Sequence, residues 1–242
     1  MNDYLIKEDV YFCYTGTQVV FLDLERSRYS AIDRKQAPAL IGTVAGWEVP
    51  EPNTDSVEDT IVGKRMRKQT VESLLGLGIL TRSQKAGKKA TPTRFSRPTA
   101  DLLSEYESNK PSIGLLHITR FIKSYLYAVV SLRVLSLARI AHRIEAHRGQ
   151  IGQRPPRGSV AKARELVLVY DHLRPFFFGA SDKCLLNSLV LMKFLRHYNV
   201  FPTWVIGVST NPFRAHSWLE MNRFVVDDQA IHVNNYVPIM AL

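Results

Sequence analysis

The sequence predicts an α+β protein with a small N-terminal module of winged-helix type and a separate C-terminal domain. Three short runs rich in β-branched and aromatic residues come first, at Val10–Tyr14, Gln18–Leu24 and Arg28–Ile32, and such runs are typical of strands. Helical apolar periodicity follows them. The charge also divides the chain, because residues 1–81 hold nine Lys/Arg against twelve Asp/Glu and residues 82–242 hold twenty-three against ten. This asymmetry indicates two units with different surfaces.

The N-terminal module, residues 1–81, is predicted to contain a three-stranded meander and three helices. Turn residues separate the strands at Thr15-Gly16-Thr17 and at Glu25-Arg26-Ser27. The three helical patterns cover Lys35–Ala45, Val57–Val62 and Met66–Leu77. Three strands followed by three helices within about 80 residues suggest a compact module of winged-helix type.

Residues 82–112 are predicted to be a basic linker. Six Lys/Arg and no acidic residue lie within 82–99, together with one glycine and two prolines, and this composition is typical of an exposed, mobile segment. The remaining residues, 113–242, should form the second domain, with one or two amphipathic helices first. Its predicted elements are Leu115–Ala146, Val160–Leu173, Lys183–Asn199, Thr203–Ser209, His216–Met221 and Phe224–Asp228.

Several partner classes are disfavoured. The sequence contains no zinc-finger spacing and no RNA-binding motif, so nucleic acid is not expected despite the net charge of +10. The apolar stretch Ile113–Ile144 has no charge-free run longer than nine residues, and a membrane span needs about 20; association with a membrane surface is the second reading. The N-terminus has mixed charge and no apolar core, so we expect no signal peptide and a cytoplasmic protein.

Cys184 is the candidate nucleophile. It opens the apolar helix CLLNSLVLMKFL, and Ser181 or Asp182 would cap that helix. The first helical turn has unpaired N–H groups and the positive end of the dipole, which favour a thiolate. The alternative is a small buried hydrophobic residue. The only other cysteine, Cys13, is far away in a predicted strand, so neither a disulfide nor a metal site is expected.

His216 and Asp228 are the candidate base and acid. The segment PFRAHSWLEMNRFVVDD is predicted to be a hairpin that turns near Asn222. If Asn222 is the centre of an odd-numbered loop, His216 lies directly opposite Asp228, at a Cβ separation of about 4.5–5.5 Å. With a two-residue loop the pairing shifts by one, and Asp227 or Gln229 competes for the role. Cysteine, histidine and aspartate in this arrangement form a triad pattern.

The segment around these residues resembles the lasso-peptide maturation proteases known as B proteins. The matching pieces are Cys184 at its helix start, VIGV at 205–208, Pro212-Phe213, and HSWLE at 216–220, with Asp228 twelve residues after the histidine. The resemblance implies a transglutaminase-like, papain-type cysteine protease that cleaves the leader from a ribosomally made precursor. It implies Cys184 as nucleophile, His216 as base, Asp228 as the orienting acid, and no cofactor or metal.

The N-terminal segment VVFLDLERSRYSAID resembles leader-recognition domains related to pyrroloquinoline quinone biosynthesis chaperones. The chain then looks like a fused form that binds the precursor leader and works with an ATP-dependent lasso cyclase. The third strand would offer an unpaired edge to an extended leader, and the helix after residue 65 would supply one wall. The leader-binding residues expected from this are Arg28, Tyr29, Ser30, Ala31, Ile32, Arg67 and Val71. Acyl transfer to an amine and a non-catalytic peptide adaptor remain the alternatives.

Overall fold

The computed structural model of the protein describes residues 4–49, 61–93, 95–104, 111–151, 159–177 and 184–242. The chain folds into two compact units, Met1–Arg94 and Phe95–Leu242. Each unit contains both helices and strands, which confirms the predicted α+β class.

The first unit contains two small sheets and one long helix. Its elements are β1 (Leu5–Lys7), β2 (Val10–Tyr14), β3 (Gln18–Asp23), β4 (Arg28–Asp33), a 3₁₀ helix (Arg34–Leu40), α1 (Ile61–Gly76), β5 (Leu80–Thr81) and β6 (Gly87–Lys88). β2, β3 and β4 form the predicted antiparallel meander. β1 pairs with β5 and β6 in a second sheet. The sequence did not predict this sheet, because strands of two or three residues carry too little periodicity to detect.

Aromatic side chains hold the meander against the rest of the first unit. The rings of Phe12 and Trp47 stack with centroids 4.9 Å apart, and Phe21 lies 6.1 Å from the same indole. The indole N–H of Trp47 donates to the carbonyl of Ala37 at 3.0 Å, so this buried ring leaves no polar atom unpaired. Aromatic pairs of this kind contribute about 0.5–1.5 kcal/mol beyond their buried area.

The helices of the first unit differ from the predicted ones in part. Instead of an α-helix over Lys35–Ala45, the chain forms a 3₁₀ helix at Arg34–Leu40 that contains Pro38. Proline lacks the amide hydrogen that a longer helix requires there. The helix predicted at Met66–Leu77 is confirmed within α1, whereas most of the helix predicted at Val57–Val62 lies outside the described residues.

The predicted basic linker, residues 82–112, contains two of the strands, so it differs from the exposed segment that its composition suggested. Gly87–Lys88 forms β6 in the first unit, and Ala100–Asp101 forms β7 in the second. Ala90 is 2% exposed, and its amide donates to the carbonyl of Ala45 at 2.7 Å. Composition alone could not show this, because the pairing partners are distant in the sequence.

The second unit contains a five-stranded sheet and several helices. Its elements are β7 (Ala100–Asp101), α2 (Leu115–Val134), α3 (Leu137–Ile151), α4 (Ser159–Leu173), a 3₁₀ helix (Arg174–Phe176), α5 (Cys184–Arg196), β8 (Thr203–Thr210), β9 (Phe213–Met221), β10 (Phe224–Val225), α6 (Ala230–Val233) and β11 (Val237–Ala241). The strand order is β11-β8-β9-β10-β7, antiparallel except for β7 beside β10. The sequence predicted the helical regions of α2–α5 and strands β8–β10, but not β7, α6 or β11.

Helix α5 is the central helix of this unit. Its buried residues Leu186, Val190 and Phe194 recur at a spacing of four, which places them on one face, and the helix packs against both β9 and α2. The side of α2 that is buried contains small residues such as Ser124 and Ala128. Within the described residues, α2 included, no helix has both the length and the apolar character that crossing a membrane requires.

Gly207 lets the sheet bring a tryptophan close to the predicted base. In the β8–β9 register, Gly207 lies opposite His216. A Cβ atom at Gly207 would lie 2.6 Å from the ring of Trp218, so the indole occupies the space that any side chain there would need. Trp218 is 1% exposed, and its ring lies 5.8 Å from that of His216 at an interplanar angle of 17°. Glycine at this position therefore leaves the space in which the Trp218 indole lies against His216.

Candidate active site

Cys184 is the first residue of α5 and is half-buried. The N–H groups of a first helical turn have no partner within the helix, and the dipole is positive at this end. Both effects favour a thiolate at this position. The predicted cap residues, Ser181 and Asp182, lie outside the described residues.

The surroundings of Cys184 lower the pKa of its thiol. A hydrogen bond with the His216 side chain has the largest effect and lowers that pKa, whereas burial opposes it. The backbone groups of Ser217 and Leu185 and the charge of His216 lower the pKa further, so the net shift is downward. Stabilising the anionic form in this way makes the sulfur a stronger nucleophile at neutral pH.

His216 lies on β9 between the thiol and a carboxylate. Its Nε2 atom donates to Oδ2 of Asp228 at 2.6 Å, which leaves Nδ1 for Cys184. Burial lowers the pKa of His216, but hydrogen bonds with Asp228 and Cys184 outweigh it and raise that pKa to about 9. The histidine is therefore protonated at neutral pH beside a thiol with a lowered pKa, the arrangement of an imidazolium–thiolate pair.

Three residues form hydrogen bonds with Asp228 and fix its carboxylate. Besides His216, the amide of Gln229 donates at 2.7 Å and Nδ1 of His232 lies 2.9 Å from Oδ2. Burial raises the pKa of Asp228, but these donors outweigh it and lower that pKa to about 2. The carboxylate is thus ionised at any pH near neutrality and orients the imidazole of His216.

The hairpin register differs by one residue from the odd-numbered loop considered above. Met221 pairs with Phe224, so Asn222 and Arg223 form a two-residue loop, both with positive φ. The structure therefore has the two-residue alternative, in which His216 does not lie directly opposite Asp228. The two side chains still meet because regular pairing ends at Val225 and the chain then bends toward the histidine.

Asp227, the alternative acid, forms hydrogen bonds with groups other than the imidazole. It accepts a hydrogen bond from the amide of Leu219 at 2.7 Å and one from the Ser188 hydroxyl at 2.9 Å. Burial is the main influence on the pKa of Asp227 and raises it to about 6, although both hydrogen bonds oppose the shift. Its contacts join the end of the hairpin to α5, which is a structural role.

His232 also contacts Asp228, although the sequence analysis did not single it out. The spacing Asp228–His232 is i,i+4, and side chains four apart meet on a helix. The short helix α6 was not predicted, so this signal had no structural context. The His232 ring also lies 4.9 Å from that of His216.

Glu220 and Trp218 form a buried, hydrogen-bonded pair next to His216. The indole N–H of Trp218 donates to Oε1 of Glu220 at 2.6 Å, and Glu220 is 3% exposed. Burial raises the pKa of Glu220 to about 7. In the HSWLE motif, His216, Trp218 and Glu220 are alternate residues of β9 and so lie on the same face of the strand. The imidazole therefore lies beside an indole that Glu220 holds in place.

The comparison with protein families concerns this part of the chain. Residues 125–241 match the family described as the transglutaminase-like superfamily. These residues form a transglutaminase-like domain. The domain contains Cys184, His216 and Asp228, whereas residues 1–124 lie outside the match. No curated protein and no solved structure matches the chain.

The residues expected to bind a leader peptide lie in the first unit. Arg28–Ile32 belongs to β4, which pairs with β3 alone among the described strands and so forms a sheet edge. Arg67 has a buried Nε atom with no hydrogen-bond partner among the described residues. Val71 differs from the expectation, because it is 6% exposed and packs in the core of the unit, where little of its side chain could meet a peptide.

Proposed function

We propose that this protein is a cysteine peptidase that removes the leader from a ribosomally synthesised lasso-peptide precursor before a partner cyclase closes the ring. The observation that carries the proposal is the series of contacts from Cys184 through His216 to Asp228. These three residues lie in a transglutaminase-like domain, a class compatible with peptide hydrolysis and with acyl transfer. The resemblance of the same segment to the lasso-peptide B proteins narrows the substrate to a leader–core junction.

In the proposed reaction, Cys184, His216 and Asp228 each have a defined role. The Cys184 sulfur attacks the carbonyl carbon of the scissile bond, and the His216 imidazolium protonates the leaving amine. A thioester on Cys184 remains. His216, now neutral, takes a proton from water, which attacks the thioester and releases the acid. Asp228 holds the imidazole in the required orientation throughout.

The oxyanion that forms during attack needs hydrogen-bond donors. The backbone N–H of Cys184 is one candidate, because an amide in a first helical turn is not used by the helix itself. A donor of this type contributes about 2.7–4 kcal/mol to transition-state stabilisation in serine proteases.

Incubation with the short precursor encoded next to this protein tests the proposal. The full chain, with and without the cyclase and ATP, should release a free leader. Its mass should be that of the product of hydrolysis at one peptide bond. Cys184→Ala serves as the inactive control. Intact precursor after incubation with the full chain, even in the presence of the cyclase, would favour a non-catalytic peptide adaptor instead.

Acyl transfer is a second candidate, because the domain match covers enzymes of both kinds. Transfer would give a leader whose new C-terminus is an amide formed with the added amine, whereas hydrolysis gives a free acid. Repeating the reaction with an added primary amine, followed by mass spectrometry, separates the two products. We expect the free acid to dominate at low amine concentration.

Leader binding is proposed to extend the sheet at β4. In an edge strand, successive residues point their N–H groups alternately inward and outward. Ser30→Pro and Ala31→Pro in the full chain should therefore behave oppositely: one loses leader affinity and stays folded, and the other loses a ladder hydrogen bond and destabilises the unit. Calorimetry with the leader peptide and circular dichroism distinguish them. If the folded variant binds the leader normally, this edge is not the site.

A further inference from the structure

Three side chains with metal-binding chemistry converge at the acid end of the triad. They are His216, Asp228 and His232, and one ligand atom from each lies within 4.8 Å of the other two. Oδ2 of Asp228 is 2.6 Å from Nε2 of His216 and 2.9 Å from Nδ1 of His232. Among the described residues, this is the group whose donor atoms meet in this way.

The donor set selects a class of ion. Two imidazoles and one carboxylate suit zinc and neighbouring transition metals, whereas magnesium and calcium prefer oxygen ligands. Zinc binds such atoms at about 2.0–2.2 Å, so neighbouring ligand atoms around it lie roughly 3.3 Å apart. The observed separations of 2.6 and 2.9 Å therefore need to widen by about 0.7 and about 0.4 Å respectively.

The position of His232 allows this adjustment. It lies on the four-residue helix α6, and its side chain is 47% exposed, against 14% for His216. A moderate rotation of His232 admits the ion from solvent. The same exposure leaves room for water as a fourth ligand, which is the coordination of an open zinc site with three protein ligands.

We propose that His216, Asp228 and His232 bind a zinc ion that inhibits the enzyme. Zinc at Nε2 of His216 leaves the proton on Nδ1, so the imidazole has no lone pair to take a proton during the reaction. The ion also occupies the carboxylate that orients the ring. Inhibition rests on the proposed peptidase function, whereas zinc binding does not.

Zinc binding is tested by calorimetry with zinc chloride on the full-length Cys184→Ala variant. Removing the thiol excludes a zinc–thiolate complex at the nucleophile. One zinc per chain is expected, with affinity that rises with pH because the ligands must lose their protons. Adding His232→Ala should weaken binding at least about tenfold, as loss of a ligand does, and magnesium should give no binding.

His172→Ala in the same background is the matched control. His172 is another exposed histidine, and its Nδ1 atom lies 2.9 Å from the carbonyl of Leu168 in its own helix. This variant should bind zinc with unchanged affinity. Circular dichroism confirms that each variant is folded before its isotherm is interpreted.

Inhibition is then measured on the unmodified chain. Precursor cleavage should fall with zinc and return with a chelator, and His232→Ala should need at least about tenfold more zinc for the same loss. Zinc binding that survives His232→Ala, or that disappears in Cys184→Ala alone, overturns the proposed site. Absence of any precursor cleavage contradicts the peptidase proposal and leaves the zinc isotherm as a separate result.

Discussion

The two cysteines of this chain lie in regions that shift the pKa of the thiol in opposite directions. Cys13 lies in β2 and is 3% exposed, and burial raises the pKa of its thiol to about 12. Cys184 begins α5 beside His216, and the hydrogen bond with this imidazole, together with nearby backbone groups, lowers its pKa despite partial burial. Burial alone makes a thiol inert, whereas partial burial beside a cation and a helix start makes it a nucleophile.

The largest difference between the two regions should appear on removing each thiol. Cys184→Ala should abolish precursor cleavage while leaving leader affinity unchanged, because the leader site is proposed in the other unit. Cys13→Ala is the matched control and should retain activity, with a stability loss of about 1 kcal/mol for the small change in packing. Cleavage assays, leader calorimetry and thermal melting measure the three quantities. Activity in folded Cys184→Ala would contradict the assignment.

His216→Ala should cost nearly as much as loss of the thiol. The two residues act as one unit, so cleavage should fall by at least about 10³. The variant also returns the Cys184 pKa toward that of an ordinary thiol, since His216 is the main cause of the shift. His172→Ala, a change at another exposed histidine, should leave cleavage unchanged.

Substitution of the two neighbouring aspartates, Asp228 and Asp227, should have the next largest effects, and the two should differ in their effect on cleavage. Asp228→Ala should reduce cleavage by about 10²–10⁴, because the imidazole loses its orientation. Asp227→Ala should reduce the cleavage rate of the folded protein less than about tenfold, yet destabilise it by about 1–3 kcal/mol, because the buried Leu219 amide loses its acceptor. Asp227→Asn keeps an oxygen for that amide and should recover part of the stability. The reverse order of activities would make Asp227 the acid.

The smallest effect concerns pH. The active pair is imidazolium and thiolate, so kcat/KM should fall as pH rises through the His216 pKa of about 9. On the acid side it should fall where Cys184 gains its proton, below the pKa of an ordinary thiol. Asp228, with its pKa of about 2, stays ionised over this whole range. A profile that keeps rising above pH 10 would show that a neutral imidazole is the active form.

Local patterns were enough to predict the meander and to single out Cys184, His216 and Asp228, which the structure brings together. The strands of the first unit are adjacent in sequence, so turn residues alone define their order. Asp228 was named from its spacing to His216, and the sequence left both an odd-numbered and a two-residue loop open. The structure has the two-residue loop, Asn222 and Arg223. Strand β7 could not be predicted from local patterns, because it pairs with the distant strand β10. The i,i+4 spacing of Asp228 and His232 had no structural context without the helix α6.

Site-resolved alkylation of the two thiols tests the central claim most directly. With iodoacetamide at neutral pH, Cys184 should react at least about tenfold faster than Cys13, because its thiolate is stabilised and accessible. In His216→Ala, the Cys184 rate should fall to that of an ordinary exposed thiol, while the Cys13 rate stays the same. Equal rates for the two cysteines, a faster Cys13, or an unchanged Cys184 rate in His216→Ala would contradict an activated nucleophile at the start of α5.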